Sequence, residues 1–155
     1  MSSGGRRVRI GFSWFGLLVV ILQAGPNIVW AFYPPTPDRL AGNASSVPAI
    51  EYGEHILGVL IVVMLLFLVN KSVPNRVHRN GSAVVAYTAI GLYWFCWGLY
   101  FAGFQPNPVI YAMVILPPLA FFCSGVAEKV WPIWLTSMVF AGVHSLVALE
   151  NFPIT

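Results

Sequence analysis

Long uncharged apolar runs, separated by short polar segments, dominate this chain. About five of them reach the ~20 residues that a helix needs to cross a bilayer. The pattern predicts spans at about 10–32, 50–70, 82–104, 108–127 and 132–150. The stretch 33–48 is rich in Pro, Ser, Asn and Gly and reads as aqueous or interfacial. The stretch 71–81 is basic and polar, and the joints Gln105-Pro106-Asn107 and Glu128-Lys129 are tight. No internal repeat is visible, so an inverted-repeat carrier is not supported. The expected fold class is an all-α integral membrane protein, one five-transmembrane-helix bundle covering 1–155.

Composition agrees. The chain is 58% hydrophobic and only 8% charged, which suits a bilayer rather than a soluble core. The net charge of +3 is not a nucleic-acid signal, because the cations fall where a membrane topology needs them. Arg6, Arg7, Arg9, Lys71, Arg76, Arg79 and Lys129 share one side of a five-span chain, and only Arg39 lies on the other. Positive charge favours the cytoplasm, so the N-terminus is expected inside and the C-terminus outside, in a multi-pass protein of the cell membrane. The basic start before an apolar run resembles a secretory signal. No small-residue cleavage site follows and the run is too long, so it reads as a retained helix. Trp14, Trp30, Trp131 and Trp134 sit near span ends, as interfacial belts do. Cys96 and Cys123 fall inside apolar segments and read as packing residues. The sequon at Asn43-Ala44-Ser45 has meaning only in a secretory eukaryotic setting, and the chain otherwise looks bacterial.

The polar residues converge at one depth. Alternating topology puts Gln23, Pro26, Asn27 and Trp30 in the outer half of the first span. Glu51, Glu54 and His55 take the same level on the second, Trp94, Trp97 and Tyr100 on the third. Tyr111 and the group His144, Ser145 and Glu150 complete it from the fourth and fifth. Polar groups are costly in lipid and face the bundle interior, so an outward-half cavity is expected.

Glu51 and Glu54 are spaced i,i+3, and Glu51 and His55 i,i+4, so all three can share a helix face. Glu51 reads as the boundary carboxylate, favoured by the helix N-terminus. Glu54 lies a turn deeper and reads as a protonatable acid facing the cavity. Pro26 removes a backbone bond and frees a carbonyl. Asn27 either serves that gap or orients Glu54 or a ligand. Pro117-Pro118 must bend the fourth helix, either as a cavity wall or as a packing kink. His144 is either an interhelix link or a partner of Glu51, Glu54 and His55 at a mixed metal site, for which no fixed ligand spacing exists. Glu128-Lys129 reads as a self-neutralising joint, and Glu150 as an interfacial anchor or a second acid. The aromatic third span, with Trp94, Trp97 and Phe101 on one face and Tyr93, Trp97 and Tyr100 on an overlapping one, is either lipid-facing bulk or a cavity wall.

A protonatable acid, an aromatic wall and a greasy cavity form a chemical kit. An acid-initiated cyclase protonates an alkene or epoxide of a prenyl chain, and ring faces stabilise the carbocations by ~0.5–2 kcal/mol each. The acid must be buried to stay protonated, and water must be kept out. The cyclases that ionise a diphosphate need a metal-binding aspartate-rich motif. This chain has one aspartate, Asp38, in a loop. The expected reaction therefore needs no metal and no cofactor.

The residues Gly25-Pro26-Asn27-Ile28-Val29-Trp30, Tyr33-Pro34-Pro35 and Glu51-Tyr52-Gly53-Glu54-His55, with the aromatic third span and a late His144, resemble a group of small bacterial membrane proteins. Some of these are similar to the membrane terpene cyclases that close prenylated indoles in actinobacteria. The resemblance spans most of the chain on short motifs. It implies an acidic proton donor, carried onto Glu54, or onto Glu51 failing that. Asn27, Trp30, Trp94, Trp97, Tyr100, Tyr111 and His144 are then the expected substrate-binding residues. The expected partners are a lipophilic small molecule, entering laterally because the cavity opens outward, and membrane lipid.

Two other classes stand beside it. One is a small-molecule or proton-coupled transporter or channel with Glu54 and His144 as a relay. Its odd span count would call for an oligomer. The other is a non-enzymatic accessory subunit whose polar groups are only interhelix links.

Overall fold

The computed structural model describes residues 7–153. Its elements run β1 (Val8–Ile10), α1 (Trp14–Phe32), α2 (Pro48–Phe67), β2 (Leu68–Asn70), α3 (Gly81–Phe101), α4 (Asn107–Ala127) and α5 (Trp131–Asn151). All five helices are long and apolar enough to cross a membrane, each being about 30 Å at 1.5 Å per residue. Arg6 lies outside the described residues.

The helices start where local chemistry starts them. Ser13 caps α1 by accepting from the Gly16 N–H, and Asn80 caps α3 by accepting from Ala83. α2, α4 and α5 have no side-chain cap and begin instead with a proline in the first turn, where the missing N–H costs nothing.

Three expected ends are corrected. The first span does not start at Ile10, and the second does not reach Asn70 as helix. Val8–Ile10 and Leu68–Asn70 pair as an antiparallel ribbon, with Val8 opposite Asn70 and Ile10 opposite Leu68. Gly11 donates to the Phe67 carbonyl and Ser13 to that of Leu66. The chain entering α1 thus takes up carbonyls that the end of α2 leaves unpaired. The third span stops at Phe101 instead of 104, because Gly103 turns the chain at φ 85°.

α4 packs between α3 and α5. α5 packs on α2, α2 on α1, and α1 closes the bundle against α3 and α4. The approach of α1 to α2 is tight. A Cβ on Gly16 would lie 1.8 Å from the Leu65 carbonyl oxygen, so only glycine fits there.

Two clusters of buried side chains form the core. One, around Phe15, Val19, Ile61 and Leu65, lies toward the ribbon end. The other gathers Tyr93, Cys96, Trp97, Tyr100, Val109 and Met113 toward the opposite end. Both cysteines are buried and unpaired.

The carbonyl freed by the proline in α1 finds its partner on another helix. Pro26 cannot donate to Leu22. The Leu22 carbonyl instead accepts from the Trp94 indole N–H at 2.8 Å. Gly25 makes room, since a Cβ there would lie 2.8 Å from the Trp94 ring. Asn27 donates to the Gln23 carbonyl at 3.0 Å, and also to the Tyr93 hydroxyl at 2.8 Å.

Candidate functional site

A cavity of about 510 Å³ lies inside the bundle, and all five helices contribute to its wall. α1 supplies Gln23, Asn27 and Trp30. α2 supplies His55, Gly58 and Val62. Tyr93 and Trp97 come from α3, Met113, Pro117 and Phe121 from α4, and Phe140 and His144 from α5. The size falls within the ~300–1,000 Å³ usual for small-molecule sites, and most of the wall is apolar or aromatic. Pro117, one of the two prolines expected to bend α4, faces this space.

The acid of interest sits at its edge. Glu54 Oε1 contacts His144 Nδ1 in a hydrogen-bonded pair that joins α2 to α5. Both side chains are largely buried, at 14% and 21% exposure. The His144 ring is on the cavity wall and stacks on Phe140 at 5.0 Å and 15° between planes. This stack fixes the imidazole plane. The pair presents a carboxyl behind and an imidazole in front.

Glu51 lies apart from the cavity wall. Its Oε2 accepts from the Ser45 N–H at 2.7 Å, and its backbone carbonyl lies 2.8 Å from His55 Nδ1. Glu150 accepts from Ser45 Oγ and the Ser46 N–H, both at 3.0 Å. These two carboxylates tie the loop between α1 and α2 onto the ends of α2 and α5.

The expected binding residues divide. Asn27, Trp30, Trp97 and His144 share the cavity wall. Trp94, Tyr100 and Tyr111 do not. Trp94 is 45% exposed and serves the Leu22 carbonyl. Tyr111 donates to the Phe152 carbonyl. Tyr100 is fully buried and donates to Asp38 Oδ1 at 2.5 Å.

Asp38, by sequence only a loop residue, holds the aromatic wall. Its Oδ2 accepts from Trp30 Nε1 at 3.0 Å, and its Oδ1 accepts from the Leu40 N–H at 3.1 Å as well as from Tyr100. Trp97 meets Tyr93, Tyr100 and Phe101 with centroids 5.3–6.2 Å apart. The same loop contributes Leu40 and Asn43 to the cavity wall. The signal available in the sequence was that this is the chain's one aspartate.

Among the described residues, no three His, Cys, Asp or Glu side chains gather closely enough to hold a metal ion. Glu54–His144 and Glu51–His55 stand as separate pairs.

At the ribbon end, Glu128 is buried and accepts from Ser13 Oγ at 2.5 Å. It does not neutralise Lys129 as its neighbour. Instead His78 Nε2 approaches to 4.0 Å. Burial pushes the Glu128 carboxyl up to about 7, against the lowering effect of the Ser13 hydrogen bond. Burial, and then the charge of Arg76, hold His78 below its ordinary range.

The cavity therefore offers the His144 imidazole backed by Glu54, a carboxamide from Gln23 and one from Asn27, and a set of aromatic faces on an otherwise mostly apolar wall. No family model matches this chain, and neither a curated protein nor a solved structure matches it.

Proposed function

We propose that this protein is a membrane-embedded, acid-initiated terpene cyclase acting on a prenylated substrate. The observation that carries the reading is the Glu54–His144 pair at the edge of a cavity walled by Trp30, Tyr93, Trp97, Phe121 and Phe140. The proton passes from Glu54 through the imidazole, entering at Nδ1 and leaving at Nε2. A prenyl epoxide is a better acceptor than a plain alkene, because its strained oxygen is basic enough for an imidazolium. The C–O bond breaks as the oxygen becomes a hydroxyl. The next alkene closes a C–C bond onto the electron-deficient carbon. Loss of a proton from the final cation to the pair restores it, so the product is an isomer of the substrate. Ring faces stabilise each cation by about 0.5–2 kcal/mol, and the apolar wall keeps water from trapping it.

The basic residues Arg7, Arg9, Lys71, Arg76, Arg79 and Lys129 flank the ribbon end of the bundle. That end belongs in the cytoplasm by the charge rule, and the cavity then lies toward the outer leaflet of the cell membrane. A lipophilic substrate reaches it between helices. A C-terminal phosphatase fusion should be active, and an inactive one rejects this orientation.

The deciding experiment incubates the detergent-solubilised protein with epoxidised farnesyl chains carrying an indole or an amide head and looks for a product of unchanged mass and new retention. Glu54→Gln should abolish it. Turnover by folded Glu54→Gln at the wild-type rate sinks the assignment. Proton flux in proteoliposomes, lost in the same variant and without any isomer formed, assigns the pair to transport instead.

A further inference from the structure

Gln23 lies in the middle of α1, 5% exposed and on the cavity wall. Neither its Nε2 nor its Oε1 has a hydrogen-bond partner within the protein. An unpaired amide is among the costliest groups to place in a bilayer interior. The nearby Asn27 Nδ2 is committed to the Gln23 backbone carbonyl and to Tyr93, so it does not serve Gln23 Oε1. The same wall carries two more unpartnered atoms, the Trp97 Nε1–H and Asn43 Oδ1. Four of the six such side-chain atoms among the described residues therefore belong to residues on one cavity.

We infer that Gln23 is the recognition residue for a ligand with a neutral edge carrying adjacent donor and acceptor, such as an amide, a lactam or a protonated carboxylic acid. The ligand donor pairs with Gln23 Oε1 and its acceptor with Nε2. The Trp97 N–H takes a second acceptor lone pair. The head is neutral because no Lys, Arg, Asp or Glu is on the wall, and its two histidines, His55 and His144, are each already engaged by a glutamate. The tail is apolar, since beyond Gln23 the space is bounded by Val114, Pro117, Phe121 and Phe140. This deepens the cyclase reading and rests on it only for the site. It also narrows the substrate. A simple indole offers a donor alone, and an epoxide offers an acceptor alone, so each leaves half of Gln23 unpaired. A prenyl chain bearing a lactam or amide satisfies both halves.

Three unreactive probes test this: farnesane, and the primary amide and methyl ester of the corresponding saturated acid. Binding is read by native mass spectrometry and by quenching of tryptophan fluorescence. The wild-type protein should hold the amide about tenfold tighter than the ester, which lacks the donor. Farnesane should bind more weakly still. Gln23→Leu should level the three, and Gln23→Met, which keeps side-chain length, should do the same if the leucine variant does not fold. Equal binding of amide and farnesane by the wild type overturns the proposal, as does an amide preference that survives in Gln23→Leu. None of the probes can be cyclised. An intact amide preference beside a failed cyclisation assay therefore rejects the enzyme reading alone.

Discussion

His144 on α5 and Glu54 on α2 meet imidazole to carboxyl, although 90 residues separate them in the chain. The contact fastens two helices and holds the imidazole on the cavity wall. Two partners in one largely buried pair do not act independently. Glu54→Gln retains a hydrogen-bonding atom and should be mildly destabilising. His144→Phe keeps the stack on Phe140 but strands the carboxyl, at a cost of about 3 kcal/mol. The double variant should lose clearly less than the sum. A double-mutant cycle by denaturant unfolding in detergent measures this, and strict additivity would mean that the pair carries no coupling.

Trp94 supports the kink in α1 by donating to the carbonyl that Pro26 leaves free. Trp94→Phe should cost about 1–3 kcal/mol for the stranded carbonyl. It should leave ligand affinity nearly unchanged, because the ring lies off the cavity wall. Trp97→Phe should behave in the opposite way, with affinity falling more than stability. Thermal midpoints and ligand titrations on both variants separate the two roles.

Asp38 accepts from Trp30, Tyr100 and the Leu40 backbone. Hydrogen bonds to a charged group are worth about 1.5–3 kcal/mol each. Asp38→Ala should therefore lower stability by at least about 2 kcal/mol and also weaken ligand binding, since Trp30 and Leu40 line the cavity. Asp38→Asn retains one acceptor and should fall between. Unchanged binding in the alanine variant would show that the loop does not shape the site.

Glu128 predicts a pH dependence of stability. Its folded carboxyl titrates near 7 against an ordinary value of 4.5. Between those values the folded protein holds a proton that the unfolded chain has released. Stability is then highest below about 4.5 and falls as pH rises toward about 7. His78 works in the opposite sense. Its folded pKa is lowered, so it subtracts stability as pH falls below 6.5. Comparing wild type with Glu128→Gln isolates the carboxyl. Thermal midpoints from pH 5 to pH 8 should fall more steeply in the wild type, and parallel curves would count against a buried, protonated Glu128.

The sequence by itself determined the number of spans and the distribution of basic residues. Hydropathy and charge belong to single runs of the chain, so they are legible locally. Membrane helices hide their inner faces. With lipid on one side and apolar side chains on the other, a helix such as α3 carries no polar stripe to mark which aromatics turn inward. Only the tertiary structure decided that Trp97 lines the cavity while Trp94 serves Leu22, that Glu54 finds His144 while Glu51 holds the loop, and that Asp38 clamps the wall. It also decided that Gln23 stands in the cavity unpartnered. Each of these depends on a neighbour supplied by another helix or a distant loop. Hydrogen bonding across a bundle is set by packing between elements, and no periodicity along one of them encodes it.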